Sequence, residues 1–574
     1  MQLAGPFFVK GTAIRSGLGV NAGDTVVAMT AGEISITVPG WPYARDFDVF
    51  GGDNLLGVVN SLPVPTLPVG SLVATISTQN HGFKRDLTFS ALASGEVVLD
   101  VNAPPNTVFG KGWSVYLVRV EPTEGRPRMP FWEKFRDFGV VVDLSVVDPG
   151  AARLIRSFRI LDAVFFEGEV HLFWKTVDKQ IGHLAFDPFP PAFNPFPTRQ
   201  PTAGERIDVL SWFPHGQDFT EISAAVFDGQ LHVLVASNVG LRHVMGTTGN
   251  WTVKTVDPSQ CWWCCAEAVG ADELHVVFSD IEKFNLRHGL FSQVTVTGDI
   301  SATGLAWQVS TIDGERPPSS GLFKVKGAIP ASVGFGCTLV VDAAKQLHVF
   351  YNSGLLKVPR TGGYDLRQAV LGVPGDPARQ WELETIDGAG HTIRAAQGQN
   401  SDWSGFGVGA RQLADGSLHV FYLQVSAGGS NYEQEWDNLR WAHQSVTWIT
   451  GENWRPFETI DGLSKLAVAN PPQRFGKTRG YISICRTNVL EADGRLDVVY
   501  AEKFDGQYRL RHAFKVGDLP WMFQLVDGHS LDDDRVERSV SYPVAVPFGG
   551  AGGGVAVLYV DLTTGTIRHA RLSM

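Results

Sequence analysis

Between Val170 and Val555 the chain repeats one hydrophobic pattern seven times: a short apolar strand, a turn, a strand close to LHVxY, then a strand close to LRHA. The second-strand copies read EGEVHLFW, DGQLHVLV, ADELHVVF, AKQLHVFY, DGSLHVFY, DGRLDVVY and GGGVAVLY, keyed on Val170, Leu231, Leu274, Leu347, Leu418, Leu496 and Val555. The keys lie 43 residues apart at the closest (Leu231 to Leu274) and 78 at the widest (Leu418 to Leu496). The third-strand copies are IGHLAF, LRHVMG, LRHGLF, LRQAVL, LRWAHQ, LRHAFK and IRHARL. Five copies continue into a fourth element that starts on Trp251, Trp307, Trp381, Trp454 or Trp521 and ends on Ile-Asp or Val-Asp. Alternation at period two over four successive runs predicts a four-stranded antiparallel meander.

Meanders repeated at this spacing predict the blades of a β-propeller. The seventh copy ends at IRHARLSM without a Trp strand, whereas an unattached MPFWEKFRDFG, with Trp132 and Asp137, precedes the first. Donating that N-terminal strand to the last blade would close the ring and remove an exposed edge. The expectation is an all-β chain: a β-sandwich over 1–122, a linker over 123–129 and a seven-bladed propeller over 130–574, closed near Trp132. The outer strand of the first blade, around Arg206 to Trp212, lacks the Trp-first pattern.

The chain has 574 residues, 44% apolar, with 63 glycines and a net charge of −11. That balance argues against a nucleic-acid or anionic-membrane partner, since no basic run neutralises phosphates. No stretch has the 18 or more uninterrupted apolar residues of a membrane span, and the start, MQLAGPFFVKGTAIRSG, has no recognisable Sec leader. The expectation is a soluble chain, with a non-Sec route if it is exported. Five cysteines are too few for a disulfide framework. CWWC at Cys261 to Cys264 looks like a redox or zinc half-site, but counting back from the key leucines puts Cys264 and Cys337 at one position of successive innermost strands. Cys485 joins them if its hairpin is one residue longer. Small buried apolar side chains explain that placement.

Before residue 122 the strands TAIRSG, DTVVAMTAG, EISITV, GSLVATIS, GEVVLDV and WSVYLVRV, separated by Gly, Pro and Asn turns, predict a sandwich. GDTVVAMTAGEISI, PVGSLVATI, SGEVVLDVN and KGWSVYLVRV resemble the PA-IL type of calcium-dependent galactose-binding bacterial lectin over about 100 residues. The resemblance implies a calcium ion, bound through an Asn-Asp pair and a pair of Asp or Asn before Gly-Ser, that holds sugar hydroxyls. Here those positions carry Asn102 and Ala103, then Val108, Phe109, Gly110, Lys111, Gly112 and Trp113. Most oxygen ligands are missing, and calcium takes six or more. The expectation is structural support, or weak sugar binding through Trp41, Tyr43 or Trp113, with no cofactor.

Ten of the 15 histidines fall in the repeat: His171, His232, His275, His348 and His419 in second strands, and His183, His243, His288, His512 and His569 in third strands. Recurrence once per blade assigns them to packing or hydrogen bonding between blades, and the patterned tryptophans to wedging. The aspartates that end the Trp strands are expected to cap turns. His81, His215, His391, His443 and His529 remain. His215, His391 and His529 sit on links from a fourth strand to the next blade, which emerge on the same face as the second-to-third links. Their blades are separated around the ring, which argues against a shared zinc centre.

Long irregular insertions gather on that face, where function is usually carried. They supply Trp403, Tyr432, Trp436, Arg474, Arg479 and Asp402 as candidate ligand-binding residues. Aromatic faces beside fixed polar groups suit a sugar, whose C–H face stacks while its hydroxyls bond. The propeller repeat resembles a broad group of bacterial seven-bladed propellers that includes lectin-like proteins and polysaccharide lyases. The first expectation is a lectin-like protein with one site on the loop-rich face and a glycan or polysaccharide partner. The second is a polysaccharide-degrading enzyme. A lyase would use His391 with Tyr481 or Tyr432 as base and acid, and Arg394 or Arg474 against a uronate, whereas a hydrolase would need two carboxylates across the channel mouth. The third is a protein-interaction or targeting subunit of a secreted toxin or surface assembly.

Overall fold

The computed structural model describes residues 2–9, 13–22, 24–31, 34–37, 45–47, 72–82, 88–103, 107–109, 113–120, 136–143, 161–187, 205–207, 219–296, 302–314, 324–326, 332–354, 364–387, 403–425, 438–444, 454, 458–462, 482–483, 489–492, 495–504, 507–516, 521–528, 539–548 and 554–573. All the regular structure among them is β. No helix among the described residues is long and apolar enough to cross a membrane.

The N-terminal pattern folds into two four-stranded antiparallel sheets. One runs Gln2–Val9, Trp113–Val120, Thr25–Ala31, Thr88–Ser90, and the other Ile14–Val20, Gly95–Val101, Leu72–Ile76, Gln79–Gly82. Alternate residues of both sheets share one apolar core, with Val9, Val26 and Val115 from the first and Leu18, Leu72 and Leu99 from the second. The opening residues, in which the sequence showed no recognisable Sec leader, form an edge strand against Trp113–Val120. Asp24, buried, accepts from Arg119 Nε at 2.7 Å and from the Asn21 amide at 2.6 Å.

Seven further sheets follow, each built on one copy of the repeat. All seven keyed second strands and all seven third strands lie where the pattern put them, from Glu169–Lys175 and Ile181–Phe186 to Gly554–Asp561 and Thr566–Ser573. The first hairpins are tight because EG and DG supply two successive positive φ values, Glu167 at 50° with Gly168 at 88°, and Asp228 at 48° with Gly229 at 63°. First strands pack sheet to sheet in cyclic order, Leu161–Phe166 on Phe219–Phe227, on Cys261–Val269, on Ser332–Val341, on Trp403–Gln412, on Val489–Ala492. Val540–Phe548 then packs both on the sixth sheet and back on Leu161–Phe166. This is a β-propeller arrangement.

Closure comes from the N-terminal side, as expected, through a strand that begins within the MPFWEKFRDFG segment and runs on past it. Arg136–Asp143 pairs antiparallel with Thr566–Ser573, with Gly139 opposite His569 and Asp143 opposite Thr566. Trp132 lies outside the described residues. The closing strand therefore uses the apolar run GVVVD, and the register that Trp132 and Asp137 suggested is corrected: Asp137 falls inside the strand instead of ending it.

Contacts between adjacent sheets recur. On the innermost strands, Asp162 Oδ2 accepts the Ala224 amide at 2.8 Å, Ser223 Oγ accepts Ala266 at 2.8 Å, and Cys265 Sγ accepts Leu339 at 3.2 Å. The donors stand opposite Val233, Val276 and Val349, two residues past their keys. Cys264 and Cys337 are equivalent too, their thiols donating to Leu234 O and Val277 O of the preceding sheet. Both are buried, as are Cys261 and Cys265, and no group of three metal-capable side chains occurs among the described residues. Cys485 lies outside them.

The repeated histidines pair within a sheet, and several also make the expected contact with the next sheet. His171 Nδ1 lies 3.0 Å from His183 Nε2, and His232–His243 and His275–His288 repeat the contact at 2.8 Å. These are diagonal neighbours on one face, His232 opposite Met245 and His243 opposite Leu234. In the fourth sheet Gln368 replaces the second histidine and bonds His348 at 2.9 Å, and in the sixth Asp497 replaces the first and bonds His512 at 2.6 Å. His443, counted outside the repeat, stacks on His419 and Trp441 of the fifth sheet. The contact between sheets is made by the patterned tryptophans: Trp251 packs edge-on against His183, Trp307 Nε1 donates to His243 Nδ1 at 3.1 Å, and Trp381 packs edge-on against His288. Trp454 meets Phe350 and Trp521 meets Phe421 in the same way.

Candidate functional site

The aspartates that end the fourth strands do cap turns, Asp257 Oδ1 accepting the Ser259 amide and Asp313 Oδ1 that of Gly314. Their other oxygen does more than the sequence suggested. Asp313 Oδ2 accepts Tyr351 Oη at 2.6 Å and pairs with Arg367 of the next sheet. Asp387 accepts Tyr422 Oη at 2.6 Å and Arg440 at 3.0 Å, and Asp527 accepts Tyr559 Oη at 2.7 Å, with Arg568 at 3.9 Å. The Tyr of LHVxY and the Arg of LRHA thus clamp consecutive sheets through one carboxylate, which is buried at Asp313 and Asp387. Burial pushes the Tyr351 hydroxyl well above its usual range, and the Asp313 charge adds to it.

The second-to-third and fourth-to-first links do share a face. The Ile281 amide, on a second-to-third link, donates to Gln260 O, on a fourth-to-first link, at 3.1 Å, and Val333 at the start of the next inner strand donates to Phe284 O. At this face the inner strands leave regular register: shifts fall between Phe219 and Glu221, Cys261 and Cys264, Val333 and Cys337, Ser404 and Phe406, and Ser541 and Val544. Bulges of this kind re-aim side chains.

In the third sheet the shift holds Trp262 and Trp263. Trp262 is 41% exposed and meets the half-buried Trp263 edge-on, with ring centroids 5.6 Å apart. Two contacts fix the pair: Thr220 Oγ1, from the preceding inner strand, donates to Trp262 O at 2.9 Å, and the Trp263 amide donates to Ser279 Oγ at 3.1 Å. Around the bulge stand the buried carboxylates Glu221, Asp257 and Asp280. Arg287 Nη1 serves Asp257 Oδ2 at 2.9 Å and lies 3.7 Å from Asp280 Oδ2, and the exposed Lys283 reaches Asp280 at 3.9 Å. Burial, and then the charges of Glu221, Asp257 and Asp280, hold the Cys261 thiol well above its usual range. A redox or metal-thiolate role at CWWC needs the opposite shift.

The candidates taken from sequence fall differently. His391, Arg394, Asp402, Tyr432, Trp436, Arg474, Arg479 and Tyr481 lie outside the described residues, as do His215 and His529. The backbone of Trp403 is described: it opens the inner strand of the fifth sheet, opposite Val425, beside two register shifts. Trp262 and Trp263 were legible only as the interior of CWWC. The overlooked signal was adjacency, because consecutive strand residues face opposite ways and two neighbouring tryptophans do not share one core.

In the N-terminal unit, Asn102 is fully buried and Val108–Phe109 pairs with Ile36 and Thr37. Asp100 accepts the Val101 amide, and burial raises its carboxyl. Ala103, Val108 and Phe109 offer no side-chain oxygen, so the described residues at those positions do not fit the calcium set of the PA-IL type.

No family model matches the chain, and no curated protein does. Solved structures similar to this chain include a thermostable family-43 glycoside hydrolase (9% identity, TM-score 0.30, 62% of this chain and 89% of that one). Others are an α-L-arabinanase of Penicillium chrysogenum complexed with arabinobiose (12%, 0.36, 62% and 93%) and the endosialidase of phage phi92 (8%, 0.36, 77% and 69%). At these identities and TM-scores, what those proteins bind or cleave does not carry over to this chain.

Proposed function

We propose that the chain is a carbohydrate-binding protein with a single ligand site on the loop-rich face of one seven-bladed ring. On this reading residues 1–122 form a sandwich of the PA-IL type acting as support, residues 123–129 link it, and residues 130–574 form the propeller. The cyclic packing of the inner strands supports the single ring. The observation that carries the function is the exposed Trp262 beside Trp263, held at an inner-strand bulge by Thr220. An exposed aromatic face fixed in this way suits the C–H face of a sugar ring.

The test is incubation of the protein with neutral glycans and acidic polysaccharides, reading both retention and new reducing or unsaturated ends. Retention without cleavage is expected. Chain cleavage lost on His391→Ala would turn the reading toward a lyase, and silence on every glycan would turn it toward a protein partner.

A further inference from the structure

We propose that the closing strand Arg136–Asp143 is a releasable strap: the ring opens first at the joint between its last and first sheets, whatever the loop-rich face binds.

Other joints are pinned by charge. The fourth-strand aspartates Asp257, Asp313, Asp387 and Asp527 each lie against an arginine of the following sheet, Arg287, Arg367, Arg440 and Arg568. The last three also accept a tyrosine hydroxyl from that sheet. Arg242 and Arg511 hold the same third-strand place in the second and sixth sheets. Parting two sheets joined in this way leaves a charge without its partner, which strongly opposes opening.

The first sheet breaks the pattern. Gly182 stands where the six later sheets carry arginine, and the residue opposite it is Trp174, where the last four carry tyrosine. The two changes fit each other, because a Cβ at Gly182 would lie 2.1 Å from the Trp174 ring. The indole therefore fills the space that the arginine side chain would need. Its Nε1 is buried and has no hydrogen-bond partner among the described residues. The strap ends on Asp143 as other fourth strands end on aspartate, but the first sheet has neither the tyrosine nor the arginine of the clamp to offer it.

What packs this joint is apolar. Val544, Leu558 and Ile567 of the last sheet and Val141 of the strap share one cluster with Leu161, Leu172 and Trp174, and Phe548 meets Phe165 with ring centroids 6.2 Å apart. Apolar contact is non-directional, so such a joint parts and re-forms without breaking a clamp. The strap's own ladder is interrupted twice, between Arg136 and Gly139 and between Val140 and Val142. The described fourth strands of the other sheets carry at most one such shift. Each shift leaves residues unpaired. No turn joins the strap to Thr566–Ser573, which lies at the far end of the ring's chain, so nothing local returns it once it has peeled away.

The experiment is native-state hydrogen exchange of the full chain, read by mass spectrometry on peptides from the strap and from the outer strands Ala302–Gly314 and Gln380–Asp387. The expected result is strap amides that exchange about tenfold faster, or more, than those of the two clamped outer strands. The double variant Trp174→Tyr with Gly182→Arg supplies the missing pair and should slow the strap toward them. Strap exchange no faster than theirs in the parent overturns the proposal, and this measurement stands whether or not the variant folds. A fast strap that the double variant leaves unchanged, while the other outer strands exchange as in the parent, overturns the assignment of the weak joint to Trp174 and Gly182.

Discussion

Replacing His232 by Gln is expected to remove a defined part of the protein's acid sensitivity. His232 is buried, its Nδ1 2.8 Å from His243 Nε2 and its Nε2 3.0 Å from Phe227 O. Burial lowers its pKa from 6.5 to about 4, against the opposing pull of Phe227 O and Asp228. Between those two values the unfolded chain binds a proton at this residue and the folded chain does not, so its contribution is intact above pH 6.5 and is lost progressively as pH falls toward 4. By about pH 5 the loss is roughly 2 kcal/mol for this one residue, and it approaches roughly 3 kcal/mol once the folded form also titrates. Gln does not titrate and keeps a donor for Phe227 O. At neutral pH the variant should lose about 1 kcal/mol, the scale of one altered buried hydrogen bond. The assay is urea unfolding at about pH 7.5 and about pH 5, where the drop in stability between the two should be smaller in the variant by about 2 kcal/mol. An equal drop in parent and variant would refute the assignment of a neutral, buried pair.

Asp313→Ala leaves Arg367 buried beside an empty position and should destabilise by about 3–5 kcal/mol, while Tyr351→Phe, which removes one bond to the same carboxylate, should cost about 1.5–3 kcal/mol. Denaturant unfolding that ranks the two in the reverse order contradicts the clamp. Gly182→Ala would place a Cβ 2.1 Å from the Trp174 ring and should cost about 1–3 kcal/mol or more through overpacking, read as a lowered urea midpoint. Prolines at Val140 and Val142 together break the closing ladder and leave the Thr566–Ser573 edge open to pairing with other chains. Light scattering should show a higher mass than for the parent, and an unchanged mass would mean that this strand does not seal the ring.

The propeller was legible in the sequence because each copy solves the same packing problem with the same residues. Second strands, third strands and Trp strands all sit where the pattern put them. What failed at closure was a resemblance of isolated letters: Trp132 and Asp137 copied the ends of a Trp strand, yet the pairing runs from Arg136 on through GVVVD to Asp143. The histidines show the limit of recurrence. It marked them as structural but not how they act, because a bond within a sheet and a bond between sheets recur with the same period. Register decides between them, and His443 was missed because Trp441 had taken the histidine position two residues earlier.

The same logic separates Trp262 from every other described tryptophan of the propeller that the repeat explains. A residue that recurs meets a neighbouring sheet in each copy, so its surface is covered by construction. A large apolar residue that does not recur has no such partner, and it persists at the surface only where the local backbone holds it there. In the third sheet that backbone is a bulge tied to the adjoining sheet through Thr220 and through Glu221, which accepts the Cys264 amide. Relaxing the bulge into regular pairing would move the register by one and turn Trp262 toward a packed sheet, so the tie through Thr220 and the exposure of the indole stand or fall together. Thr220→Val should therefore weaken glycan retention, although the Trp262 side chain itself is unchanged in chemistry. Retention equal to the parent would mean that the indole is held by Trp263 alone.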